Sequence, residues 1–185
     1  MSSVRVIGGI AKGRRLKTRK SKELRPATDY VKEALFNILA KDVLDCVILD
    51  LFAGIGSLGI EALSRGAKKA VFVEKDRENA ALIKENLLLT GFYEQAEIYN
   101  CDVFKALPLL GRKGYRFQII FADPPFRKGL LGRVVESISE FNLLLPKGII
   151  VTRSAFGEED LVKRTPYREE RYGDSILRFY RLEDE

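Results

Sequence analysis

Four residues in succession, Asp123-Pro124-Pro125-Phe126, directly follow a β-rich run from Phe117 to Ala122. Proline has a fixed φ and no N–H, so two together hold a loop rigid and leave their carbonyls unclaimed by local donors. An aspartate and a proline carbonyl placed there can accept both hydrogens of an aromatic amino group, while Phe126 offers a face on which the ring stacks. The lone pair of such an amine is delocalised into its ring. Drawing on both hydrogens favours a more tetrahedral nitrogen, with the lone pair aimed at an electrophile. The competing reading is a rigid turn closed by a core phenylalanine.

A second site runs from Asp50 to Glu61 and contains Gly54-Ile55-Gly56-Ser57-Leu58-Gly59, formally a GxGxxG pattern, where a strand hands over to a helix. Glycines serve a backbone that turns tightly out of a strand and passes close to a ligand. Glu74 closes the next strand, 20 residues beyond Gly54, where a carboxylate can take the two ribose hydroxyls of an adenosine ligand. Asp102, after the third strand, can accept a hydrogen bond from an adenine amine or cap the helix that follows it. These residues permit a nicotinamide enzyme as well as one that uses S-adenosylmethionine.

The elements that must position these sites alternate in type. Strands are expected at 46–51, 70–74, 96–100, 117–122 and 148–152, with helices at 57–65, 77–90, after Asp102 and at 129–141 between them. Residues 167–172 and 176–182, joined by Gly173-Asp174, read as an edge hairpin. The expected fold is α/β, a doubly wound and mostly parallel seven-stranded sheet. A basic β-hairpin near residues 4–18 and a helix at 29–40, capped by Thr28, precede it.

Charge divides the chain unevenly. Residues 1–25 hold nine basic side chains and one acid, a net +8, so within an overall +6 the remaining 160 residues carry −2. We therefore read 1–25 as an appended arm that grips a polyanion through Arg5, Lys12, Arg14, Arg15, Lys17 and Arg25, and 26–185 as the catalytic domain. With no histidine in the sequence, Ser-His-Asp hydrolysis and His-ligated zinc are excluded, and no metal site is expected. With no histidine to titrate and Asp123 and Glu74 expected to be ionised, turnover is expected to be nearly independent of pH between about 6 and 8. Cys46 and Cys101 form neither a metal knuckle nor a disulfide framework, which points to a reducing compartment. No apolar run approaches the roughly 18 residues that span a bilayer, and the glycines at 8, 9 and 13 oppose an amphipathic targeting helix, so a cytoplasmic protein without a membrane partner is expected.

The Asp123 to Phe126 loop is similar to the signature of methyltransferases that modify amino nitrogens of nucleic-acid bases, and Asp50 to Gly59 resembles the first cofactor motif of the class I S-adenosylmethionine fold. More narrowly, Arg5-Val6-Ile7-Gly8-Gly9 with Lys12-Gly13-Arg14, Arg25 to Asp29, Lys32 to Asn37, Asp50 to Gly54 and Glu61 to Ala67 run in the order seen in the RsmD family of ribosomal RNA methyltransferases. Ala27, Tyr30 and Lys32 depart from that family's usual Thr, Arg and Arg.

The resemblance implies methyl transfer from S-adenosylmethionine to the N2 amine of a guanine in 16S ribosomal RNA, free or within a partly or fully assembled small subunit. It implies a cofactor held by Asp50, Phe52, Gly54, Gly56, Ser57, Glu74, Lys75 and Asp102, with catalysis at Asp123, Pro124, Pro125 and Phe126. Two rival readings are an adenine-N6 methyltransferase acting on DNA and a non-catalytic RNA-binding assembly module.

Overall fold

The computed structural model describes residues 4–19, 28–159 and 161–182. Seven strands form one sheet: β1 (Val47–Leu51), β2 (Lys69–Val73), β3 (Ala96–Tyr99), β4 (Phe117–Ala122), β5 (Leu144–Ala155), β6 (Arg168–Tyr172) and β7 (Ser175–Tyr180). Their spatial order is β3-β2-β1-β4-β5-β7-β6. The first five are parallel, and β7 runs antiparallel to both β5 and β6. The chain builds outward from β1 to β3 and then resumes on the other side at β4. The β1/β4 boundary is therefore the topological switch point, where open α/β sheets bind ligands at the carboxyl edge.

Both faces of the sheet are covered, which accounts for its nearly continuous apolar strands. Helices α1 (Asp29–Leu39), α2 (Ser57–Ser64) and α3 (Arg77–Thr90) pack on one face, and α4 (Val103–Arg112) and α5 (Leu131–Glu140) on the other. The helices begin where side chains can cap them. Thr28 accepts a hydrogen bond from Val31 N–H, Asp76 from Asn79 N–H and Asp102 from Phe104 N–H. No helix among the described residues is long and apolar enough to cross a membrane.

Two differences from the expected elements have physical causes. β5 runs from Leu144 rather than 148 because Leu144 pairs with Phe117, ahead of an irregularity after which the ladder resumes at Ile119 and Ile149. It runs to Ala155 rather than 152 because β7 pairs with it as far as Ser175. The hairpin at 4–18 forms, with one bridge between Arg5 and Arg15 flanked by Val6 N–H to Arg14 O at 2.9 Å and Leu16 N–H to Val4 O at 2.8 Å. It is sewn to the body, not free-standing. Val6, Ala11 and Leu16 are buried in the core of the α1–α2–α3 face. At Gly9, with φ +75°, a Cβ would fall 1.7 Å from the Ser64 carbonyl oxygen, so only glycine lets the arm lie this close to α2.

Candidate active site

β1 and β4 pair in register, Leu51 opposite Ala122, so the loops that leave them start about 4.8 Å apart. In the β1 loop, Phe52, Gly54 and Gly56 have φ of +59°, +58° and +84°. Gly56 is the left-handed residue from which α2 starts, and a Cβ there would press on Ile60 and Ile83 at 3.3 Å. Glu74, buried at the exit of β2, holds this loop: its Oε2 accepts from Gly54 N–H at 2.7 Å and its Oε1 from Asp76 N–H at 2.8 Å. Each carboxylate oxygen accepts more than one bond, so capacity for ligand hydroxyls remains. Asn100 ties the exit of β3 to that of β2 by donating to the carbonyls of Glu74 (2.8 Å) and exposed Lys75 (3.1 Å). Asp102 is exposed, and its Oδ1 caps α4 through Phe104 N–H at 2.8 Å.

Two buried groups stand out beside the glycines. The Ser57 hydroxyl, at the first residue of α2, has no hydrogen-bond partner among the described residues. Asp50 is 1% exposed and accepts from Gly59 N–H at 2.9 Å. Burial pushes its carboxyl up to about 8, the Gly59 bond opposes the rise, and the charges of Asp123 and Glu74 add to it. A fully desolvated carboxyl reaches the range that the absence of histidine had left empty.

At the exit of β4 the Asp123 carboxylate is gripped by Arg153, which lies just past the position where β5 pairs with the end of β4. The guanidinium donates from Nε to Oδ1 at 2.8 Å and from the second terminal nitrogen to Oδ2 at 2.9 Å. This is the two-pronged geometry that makes arginine–carboxylate pairs strong. The two side chains are 10% and 15% exposed. The same guanidinium lies 4.9 Å from the centroid of the Phe126 ring, so one cation contacts both the Asp123 carboxylate and this ring. Pro124 is buried and Pro125 exposed. Glu158 closes the loop from the β5 side by accepting from Arg127 N–H (2.5 Å) and Ala155 N–H (3.0 Å).

The arm divides into paired and unpaired cations. Arg5 is bonded to Asp29 at 2.8 Å and Lys17 to Glu85 at 2.7 Å, whereas Lys12, Arg14 and Arg15 are exposed and make no ion pair among the described residues. Arg25 lies outside the described residues. The arm is anchored by Glu61, fully buried on α2, which accepts from Ile7 N–H and Gly8 N–H at 2.8 Å each and pairs with Arg65 at 2.8 Å and buried Lys32 at 3.9 Å. Asn86 on α3 completes the seam, exchanging bonds with Lys17 N–H (2.7 Å) and Lys17 O (3.1 Å).

A family model described as conserved hypothetical protein 95 matches residues 4–181. The chain is 40% identical over 153 residues to ribosomal RNA small subunit methyltransferase D of Escherichia coli K12, covering 82% of this chain and 74% of that protein. It is likewise 40% identical to the Haemophilus influenzae protein of the same name, over 88% and 83% of the two chains. The chain belongs to the RsmD family. Among solved structures, a Thermus thermophilus protein of 31% identity superposes with a TM-score of 0.85 over 97% of this chain and 99% of that one. An RNA methyltransferase from Salinibacter ruber, solved with S-adenosyl-L-homocysteine, has the same fold at 17% identity and a TM-score of 0.68, over 84% and 92% of the chains.

Against this family background, the fold brings Asp50, Phe52, Gly54, Gly56 and Ser57 to the end of β1, with Glu74 reaching that loop from the exit of β2, and Asp123 to Phe126 to the exit of β4. Lys75 and Asp102 lie at the exits of β2 and β3. Sequence reasoning did not find Arg153, Asn100, Glu158 or the Glu61 anchor. One signal was available for Arg153: a cation next to the end of the strand expected to neighbour β4.

Proposed function

We propose that this RsmD-family chain transfers a methyl group from S-adenosylmethionine to the N2 amine of a guanine in small-subunit ribosomal RNA. The observation that carries the reading is the in-register neighbourhood of β1 and β4, which starts the glycine loop and the Asp-Pro-Pro-Phe loop side by side. The residues present fit the cofactor. A buried Ser57 hydroxyl without a partner among the described residues stands at the first residue of α2, and Glu74 holds the glycine loop while keeping capacity for ribose hydroxyls. The electrophilic methyl is supplied by the cofactor's sulfonium when it is bound.

The chain's own residues then have three tasks. Asp123 and the Pro124 carbonyl accept the two amine hydrogens, and Phe126 stacks the base, so the nitrogen lone pair is turned out of the ring. Arg153 fixes the carboxylate through two bonds, leaving its remaining lone pairs for the amine. It also offsets part of the negative charge, so Asp123 acts here as an aimed acceptor more than as a bare counter-charge. The unpaired cations Lys12, Arg14 and Arg15 contact phosphates, and that binding offsets the few kcal/mol needed to unstack the target base.

The test is labelled S-adenosylmethionine offered in parallel to free 16S RNA, small subunits and DNA, followed by nucleoside analysis. N2-methylguanosine in RNA is expected. N6-methyl-2′-deoxyadenosine in DNA would replace the reading with its rival, and stoichiometric RNA binding without product would reduce the chain to a binding module.

A further inference from the structure

Residues 17–19, where the arm leaves its hairpin, are bonded to α3 at both ends. Lys17 exchanges two hydrogen bonds with Asn86: its N–H donates to Asn86 Oδ1 at 2.7 Å, and its carbonyl accepts from Asn86 Nδ2 at 3.1 Å. Asn86 is fully buried, and the same Nδ2 donates to Ile55 O at 3.1 Å, between Gly54 and Gly56 of the glycine loop. Two residues on, the Arg19 guanidinium donates to Asp76 at 3.2 Å and to Glu78 at 2.6 Å. Asp76 N–H is in turn held by Glu74 Oε1, and Glu74 Oε2 holds Gly54 N–H. Two hydrogen-bonded routes therefore run from one arm segment to neighbouring residues of the glycine loop, through Asn86 to Ile55 and through Asp76 and Glu74 to Gly54.

The loop needs such support. Phe52 sits at φ +59°, a costly region for a side chain of its size, and Gly54 and Gly56 have the freest backbone of any residue type. Glu74 fixes the N–H of one loop residue and Asn86 the carbonyl of the next. Lifting the arm would take two of the three bonds from Asn86, and a buried amide left without partners is costly. Its side chain would then have to turn toward water, away from Ile55. The unpaired cations Arg14 and Arg15 stand two and three residues from Lys17, so whatever grips them acts close to this seam.

We propose that Asn86 and Arg19 are positioning residues that make the docked arm part of the cofactor site, so that RNA on the arm and S-adenosylmethionine in the glycine loop bind cooperatively. The proposal rests on the RNA reading above and adds regulation of the same site to it. An RNA that meets the arm cations and the Asp-Pro-Pro-Phe loop together does so only while the arm is docked, so RNA selects the docked state. In that state both routes hold the glycine loop, and a cofactor entering it has less conformational freedom left to remove. Linkage then requires the cofactor to tighten RNA binding by the same factor. The cofactor is held most firmly when the substrate is in place and loosens when the RNA leaves.

The experiment measures radiolabelled S-adenosyl-L-homocysteine, which is not turned over, by equilibrium dialysis against the full chain, alone and saturated with free 16S RNA or small subunits. Wild type is expected to bind it about 5- to 20-fold more tightly with RNA, the lower part of the usual range for coupled sites. Arg19→Ala and Asn86→Ala are each expected to reduce that ratio to about 2- to 3-fold, and the double variant to about one, because each removes one route. Arg19→Lys is expected to keep most of the wild-type ratio, since it retains a cation for Asp76. Arg19 is partly exposed, so its variants keep the test open even where Asn86→Ala does not fold. Hydrogen exchange over residues 52–57 is expected to slow on RNA addition in wild type and not in the double variant. A purely structural role would lower affinity equally with and without RNA, and an unchanged ratio in Arg19→Ala overturns the proposal. A wild type that binds RNA with its cofactor affinity unaltered overturns the coupling alone, whereas one that binds the cofactor but no RNA overturns the underlying reading and the coupling with it.

Discussion

Replacing Arg153 by methionine removes the guanidinium while keeping a side chain of similar reach. Asp123, only 15% exposed, is then left with neither of its two short bonds, at 2.8 and 2.9 Å. Breaking a fully buried pair by removing one partner costs about 3–5 kcal/mol, and exposed pairs contribute about 0.2–1 kcal/mol. With one partner at 10% and the other at 15% exposure, the geometry places this pair toward the buried end, and we expect a coupling of about 2–3 kcal/mol. A domain of this size loses about 2–4 °C of Tm per kcal/mol, so Arg153→Met should melt roughly 4–12 °C lower. Asp123→Ala should do similar damage by stranding Arg153, and the double variant should be no worse than the poorer single one. Urea unfolding of the four proteins gives the coupling directly. In single-turnover assays at saturating cofactor, Asp123→Ala should lose about 100- to 1,000-fold, as for removal of one pre-organised partner. Arg153→Met keeps the carboxylate but lets it drift, so it should lose about 10- to 100-fold. Additive stabilities, with a coupling below about 0.5 kcal/mol, would refute the view that one cation holds the loop.

Within the arm, Lys12→Ala, Arg14→Ala and Arg15→Ala together should flatten the salt slope of RNA binding by roughly 0.7–0.9 for each phosphate no longer neutralised, while Lys17→Ala, whose charge Glu85 already offsets, should change it little; equal effects would mean the pairing does not direct the arm. Glu61→Ala should remove the anchor for Ile7 and Gly8 and strand buried Lys32, lowering Tm by about 6–20 °C and weakening RNA binding more than cofactor binding, as read by calorimetry. Asp50, with its folded-state carboxyl raised to about 8, favours folding at low pH, and that contribution falls as pH rises from about 4 through 8. Asp50→Asn should therefore close its stability gap with wild type, or overtake it, as pH increases across that window; parallel Tm curves for the two proteins would refute the raised carboxyl.

What is legible in the sequence is local. Periodicity and caps place α3 at its observed residues, and the apolar run from Phe117 to Ala122 is β4, because both signals lie within the element itself. The end of β5 is not legible, since its last three residues are held in the sheet by β7, 20 to 24 positions away in the chain. The docking of the arm is hidden for the same reason. Its charge is a property of the arm alone, whereas its seat on the body depends on one glutamate in α2, one asparagine in α3 and a glycine that has no room for a Cβ.

The site follows the same division, and that division bears on the chemistry. Motif residues identify what each loop offers a ligand, but their partners decide how the offered groups behave. Glu74 reads as a ribose acceptor, yet in the fold its two oxygens also hold the glycine loop and the β2 turn, so its removal would loosen the loop along with the ribose contact. Glu74→Gln, which keeps one acceptor, is consequently a cleaner probe of ribose recognition than alanine. Asp123 reads as an acceptor for an amino group, and in the fold Arg153 fixes the direction of its carboxylate and lies beside the Phe126 ring as well. In the proposed reaction the reactive group arrives with the cofactor, so orientation is what the protein must supply, and the arginine fork at the end of the neighbouring strand is the group we assign to that task.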